Sequence, residues 1–309
     1  MRKSTLCASA LWALCGCADA GSAKEADTKD TPRGQSAEHF SFFVTSYAAL
    51  QRLSGSQSGF GGDLRYGEAD GLSGADKICR EIAEDSLASS GKKKWRAFLS
   101  VTRGPKDEPV HAIDRIGEGP WYDRRGRLVA QSKADLMNDR PIGADPAIVD
   151  DLPNEDGVPN HAPDGSEVDN HDILTGTGAD GKLYGEDWGA TCHDWTSSTG
   201  SDGRPRVGHS WPRDFSALFR DGGMPPFPLG GMGGGFPFPG GGFPEGGFPA
   251  GFDPSIFRDV DGVHWISSLN EAGCAPGASL IEMGPPNPNN PTVGSGGGYG
   301  GIYCFALTP

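Results

Sequence analysis

The sequence predicts an α+β domain of short strands around one main helix, and three observations carry that expectation. Gly and Pro supply 49 and 25 of the 309 residues, too many turn-forming positions for a long-helix protein. One long stretch, residues 74–89, shows a sustained helical period, with Ala75, Ile78, Cys79, Ile82 and Ala83 on one face. The other apolar segments are short, rich in aromatic and β-branched residues, and bounded by turn residues. Hydrophobic residues make up 36% and charged residues 22%, enough for one sizeable core with appendages.

From the N-terminus, Arg2 and Lys3 precede a mostly apolar run over 6–14, the layout of a secretory signal too short to span a bilayer. Leu14, Cys15, Gly16 and Cys17 resemble the lipobox of bacterial lipoproteins, which implies removal of residues 1–16 and acylation of Cys17. An ordinary cleaved signal with Cys17 as a spare thiol is the competing reading. Several acyl chains on one residue would hold the protein on a membrane. Ala18 stands where lipoproteins retained at the inner membrane often carry Asp, so the resemblance implies the outer membrane. Residues 17–38 are then the lipidated Cys and a solvated tether without apolar period, and 39–309 the folded domain.

Within the domain, residues 40–47 (FSFFVTSY) read as a first strand, followed by a Gly/Ser loop through Gly62. Ser73 and Asp76 form a capping box for the helix over 74–89, which Gly91 ends. Residues 95–101 alternate as a half-buried strand. Residues 121–130 form a hairpin turning at Arg125 and Gly126, and 132–137 a short helix. Further strands are expected over 173–175, 207–211, 263–268, 279–282 and 301–307. Two insertions interrupt the pattern. Residues 141–172 are acidic and Pro-rich, a long surface loop. Residues 221–253 are a low-complexity run of Gly, Phe and Pro that cannot pack on its own, a disordered excursion whose Phe227, Phe236, Phe238, Phe243 and Phe248 offer an adhesive alternative.

Seven cysteines are present, of which Cys7 and Cys15 leave with the signal and Cys17 takes the lipid. Cys79, Cys192, Cys274 and Cys304 remain, an even number in an exported chain, which implies two disulfides with three connectivities open. Their spacing lacks the close pairs of a zinc site. Each bridge would constrain the unfolded chain by roughly 4 to 5 kcal/mol in the entropic account.

Set side by side, these pieces resemble the endostatin-like branch of the C-type-lectin-like fold, and more closely the bacterial exported domains of unknown function that share the pattern. The residues carrying the resemblance are GLSGADKIC (71–79), KWRAFLS (94–100), AIDRI (112–116), YDRRGRLVA (122–130), ILTGTGADG (173–181), CHDWTSS (192–198), WISSLNEAGC (265–274) and IYCF (302–305). The resemblance implies nested pairs, Cys79 with Cys304 and Cys192 with Cys274, and chain ends that are neighbours. Trp95, Phe98, Trp195, Trp211 and Trp265 are then core aromatics whose indole nitrogens need partners. Animal endostatin's zinc histidines and arginine-rich heparin face have no counterpart here, nor do the calcium-holding triplets of sugar-binding C-type lectins.

A formal charge of −14, from 27 basic and 41 acidic residues, argues against nucleic acid as partner and against an electrostatic grip on an anionic membrane. His193, Asp194, His209 and His264 are imaginable acid/base or metal residues, read as structural because no hydrolase motif fixes their spacing. Asp150, Asp151, Glu155, Asp156, Asp164, Glu167, Asp169 and Asp172 offer oxygen ligands for calcium without the ordered loop of a calcium site, and Asp259, Asp261 and Gly262 give a fragment of one. No cofactor is expected otherwise. The expected function is a surface-anchored, non-enzymatic binding or structural module contacting an extracellular macromolecule or glycan through its loops. The alternative is an exported hydrolase with a His/Asp site assembled in the fold.

Overall fold

The computed structural model describes residues 38–159, 172–210, 264–280 and 286–308, all in one unit running from Gly34 to Pro309. The signal, Cys17 and the tether up to residue 37, Asp164, Glu167 and Asp169, Trp211, the 221–253 insertion, and Asp259, Asp261 and Gly262 lie outside the described residues.

Strand β1 is Phe42–Val44, shorter than the sequence predicts, because Ser46 starts a helix where a loop was expected. Its hydroxyl accepts the Ala49 amide, capping α1 (Tyr47–Ser54), which ends at Gly55 in the left-handed conformation. Two turns are too few for an apolar period to stand out, yet Ala49 and Leu50 are buried. The main helix, α2 (Gly71–Ser86), starts three residues earlier than expected and ends before Ser89, not at Gly91. Asp70, not Ser73, is its N-cap, accepting the Ser73 amide at 2.8 Å. Asp76 is drawn away from capping: it accepts from the Ala97 amide, Arg96 and Arg115, tying the helix to the next two elements. Its apolar face is the expected one, with Ala75, Ile78, Cys79, Ile82 and Ala83 buried.

Strand β2 (Trp95–Ala97), the short helix α3 (Ala112–Arg115), the hairpin strands β3 (Trp121–Tyr122) and β4 (Leu128–Ala130), and α4 (Lys133–Leu136) follow. The hairpin turns where the sequence predicts, around buried Asp123, whose carboxylate accepts the amides of Arg125 and Arg127 and pairs with the Arg127 guanidinium. Then come β5 (Asp172–Leu174), β6 (Arg206–His209), β7 (Leu269–Asn270) and β8 (Gly298–Ala306). The expected strand over 263–268 is, in its described part, a tight turn with one bridge between His264 and Ser267. Ser279 and Leu280 lie in no strand.

The sheet order is β1-β8-β5-β6-β7, with β2 also pairing β8. It is mixed: β8 runs antiparallel to β1 and β2 but parallel to β5. All nine residues of β8 are buried, so both faces of the sheet are covered and the strand's alternation feeds two cores. Ile302, Cys304 and Ala306 face the core under α2. Tyr303 and Phe305 face the other, with Phe42, Phe98, Trp121 and Trp265. Trp95, Trp195 and Trp265 donate their indole N–H to the carbonyls of Ser90, Ser100 and Leu136.

Both disulfides are present in nested order. Cys79–Cys304 joins α2 to β8, and Cys192–Cys274 joins the loops after β5 and β7. Among the described residues, no helix is long and apolar enough to cross a membrane.

The acidic insertion is not the surface loop that its composition predicts. Its described part, 141–159, is built into the domain: Ile148 and Leu152 are buried in the second core. The Pro153 carbonyl accepts the Val44 amide, and the Leu152 amide donates to Ser210. Glu155 is buried, accepting the amide and hydroxyl of Ser46 at the start of α1, while its own carbonyl accepts Ser86. Burial pushes the Glu155 carboxyl up, against the lowering effect of those donors. Asp172, read as the loop's last residue, begins β5 and is fully buried.

Candidate functional site

Four consecutive non-glycine residues, Cys192, His193, Asp194 and Trp195, hold φ values of 48°, 56°, 59° and 62°, making one left-handed turn. L-residues pay roughly 1 kcal/mol or more each for this conformation, so the surroundings must over-determine it. Cys192 is bonded to Cys274. Trp195 is fully buried and donates to the Ser100 carbonyl at 2.8 Å. The Asp194 carboxylate accepts the Thr102 amide at 2.6 Å, the Thr102 hydroxyl at 2.9 Å and the Arg103 amide at 3.2 Å. Thr191 closes the clamp, its hydroxyl donating to that carboxylate and accepting the Asp194 amide. Gly71 lets the start of α2 lie against the turn, since a Cβ there would sit 2.4 Å from that of Trp195.

The turn presents His193 to the surface, where its ring meets Trp188 edge-on at 5.4 Å. The Arg103 guanidinium lies 5.1 Å from the Trp188 ring centre. Trp188 itself is 40% exposed, while Trp95, Trp121, Trp195 and Trp265 are buried. An indole in contact with His193 and Arg103 and still open to solvent is an apolar platform with polar neighbours, suited to stacking and hydrogen bonding together. Trp188 is not among the residues singled out from the sequence; its signal is a lone Trp in an acidic, Gly-containing stretch, GEDWGA (185–190).

The residues singled out from the sequence are dispersed. Asp194 is spent on the clamp and His193 on Trp188. The His264 imidazole nitrogen accepts the Ile266 amide, and burial holds its pKa below the usual histidine value. His209 pairs with Asp172 at 3.0 Å. A further carboxyl group meets this pair: Glu271, fully buried, faces Asp172 and accepts from the Ser295 hydroxyl at 2.5 Å and the Gly296 amide at 2.9 Å. Desolvation first, then the charge of Asp172 and a hydrogen bond to it, push the Glu271 carboxyl well above its ordinary range. Two carboxyl groups in such contact need a proton between them. Both are buried, and the pair fastens the β5–β6 sheet to the Ser295 loop. Among the described residues, no group of three or more His, Cys, Asp or Glu is placed to hold a metal ion, and Asp150 and Asp156 lie exposed at the surface.

Compared with known families and with curated proteins, the chain matches no family model and no curated relative.

Proposed function

We propose that the protein is a surface-anchored binding module without catalytic activity, whose Trp188 platform stacks on the apolar face of a sugar ring in an extracellular glycan. The observation that carries this reading is an exposed indole held by a strained turn that a disulfide, a buried Trp and a carboxylate clamp all fix in place. Strain maintained by so many contacts, beside an open aromatic face, is the pattern of a pre-organised contact site.

A C-type-lectin-like build is part of the proposal. The nested disulfides and the pairing of the first strand with the last support it. The lipobox-like residues ending at Cys17 support anchoring through a lipid, with display at the outer membrane. The hydrolase alternative has less behind it. A His/Asp site needs an orienting carboxylate and an open pocket, whereas Asp194 serves Thr102 and Thr191, and Asp172 and Glu271 are buried.

A glycan and extracellular-matrix array, run with calcium and with chelator, tests the reading. Binding is expected in both conditions, to fall about tenfold or more in Trp188→Ala, in line with a central aromatic contact, and to leave the melting temperature unchanged. Binding that survives Trp188→Ala, or that vanishes with chelator, refutes the platform.

A further inference from the structure

The net charge of −14 hides a local reversal. Between the outer face of α2 and the segment leading into β2 lies a groove of about 500 Å³ lined by Lys77, Arg80, Lys92, Lys93, Lys94 and Arg96. Two carboxylates share it, and both are engaged: Glu68 with Lys77, and Asp76 with Arg96 and with Arg115. Glu84, whose charge acts on Lys92, directs its carboxylate to the amides of Ser89 and Gly91. Arg80, Lys92 and Lys94 are exposed and make no ion pair among the described residues. Screening confines a surface field to about 8 Å at physiological salt, so a ligand in this groove meets these cations rather than the net charge of the chain.

The groove is also where the chain enters the domain. Lys93 Nζ donates to the carbonyls of Glu38, the first described residue, at 2.8 Å and of Phe40 at 3.0 Å. The segment joining Cys17 to the domain therefore arrives at the rim of the basic groove. On the anchored reading given above, on which this inference rests, the edge of the domain nearest the anchor in sequence is its cationic edge.

We propose that this groove docks on the phosphate-bearing headgroups of an anionic membrane surface, orienting the anchored domain. The lipid would hold the protein on the membrane, and the groove would set which face turns toward it. Headgroup phosphates are favoured over an anionic polymer in solution because a chain anchored at Cys17 and entering the domain at Glu38 keeps the groove within a tether's length of them.

The test uses the full chain carrying Cys17→Ser, so that no acyl chain contributes. It is co-sedimented with vesicles of phosphatidylcholine alone, which report apolar binding by the signal segment, or of phosphatidylcholine mixed with phosphatidylglycerol, where binding left in the groove variant below reports the share of Arg2 and Lys3. Binding to the mixed vesicles is expected to exceed the neutral control by about a hundredfold or more at low salt and to be lost at about 0.5 M salt. Arg80→Gln/Lys92→Gln/Lys94→Gln is expected to weaken it roughly a hundredfold, at about fivefold per cation, with the melting temperature unchanged. Equal binding to both vesicle types, or an unaffected triple variant, overturns the proposal. So does binding of a sulfated polysaccharide through these residues while the vesicles remain unbound. Labelling of the unaltered chain with palmitate tests the anchor separately: a chain that is unlabelled yet binds mixed vesicles sinks the anchor and keeps the groove, and a labelled chain that ignores them does the reverse.

Discussion

Glu271→Gln should flatten the dependence of stability on pH. In the folded protein the Glu271 carboxyl is raised well above its ordinary value by burial and by Asp172, whereas in the unfolded chain it titrates near 4.5. The folded state thus holds one proton more than the unfolded state above that value. The stabilising contribution is complete below about pH 4.5 and is lost as pH rises toward the folded value. The largest slope one proton can give is about 1.4 kcal/mol per pH unit. Glutamine keeps the shape, donates an N–H toward Asp172 where the acid donated its O–H, and still accepts from Ser295 and Gly296. It takes up no proton, so the variant should gain on the parent by up to that amount for each unit above pH 5. With a urea slope of about 2 to 3 kcal/mol per molar, the gain appears as a midpoint shift of roughly half a molar per unit. Urea unfolding at pH 5, 6, 7 and 8, with disulfides intact, measures it. Midpoints of parent and variant that move in parallel across this range would mean that Glu271 is ionised when folded, and the shared proton would have to be abandoned.

The other expectations follow from packing and from the turn. Cys192→Ser/Cys274→Ser opens a bridge of sequence separation 82 and should cost about 4 to 5 kcal/mol at most in unfolding experiments, and it should weaken array binding per folded molecule more than Cys79→Ser/Cys304→Ser does. Asp194→Ala removes the acceptor of the Thr102 and Arg103 amides; a loss of about 2 to 3 kcal/mol is expected, with new protease cleavage near residues 191–196, and unchanged stability would show the clamp to be idle. Leu152→Ala should cost about 3 kcal/mol, since Leu152 is buried in the second core; a neutral result would return residues 141–159 to the status of a surface loop.

What could be read before any coordinates were those features whose signal is local and periodic. Ala75, Ile78, Cys79, Ile82 and Ala83 recur at helical spacing because one helix face meets the core, and that face is the buried one. The apolar run ending the chain was legible as a strand, and the structure divides its side chains between two cores, Cys304 to one and Tyr303 and Phe305 to the other. Arg125 and Gly126 mark the hairpin turn, which the structure closes with short-range hydrogen bonds to Asp123. The helix start was misplaced, because Ser73 with Asp76 makes as good a capping pair as Asp70 does with Ser73 until the distant Arg96, Ala97 and Arg115 compete for Asp76.

Composition misled over residues 141–159, where acidic and Pro-rich sequence conceals Ile148, Leu152 and a Glu155 that docks on Ser46, more than a hundred positions earlier. The left-handed turn at Cys192–Trp195 has little local cause beyond the Thr191 hydroxyl: its disulfide partner, its indole acceptor and the Thr102 and Arg103 donors to its carboxylate come from other parts of the chain. The same holds for the proton state of Glu271, which depends on Asp172 about a hundred residues away and on the exclusion of water. The sequence by itself therefore determined which faces are apolar, because burial of a helix or strand follows its own period. The tertiary structure alone decided where the charges go and which indole stays exposed, because desolvation and hydrogen-bond partners are properties of neighbours that sequence distance does not reveal.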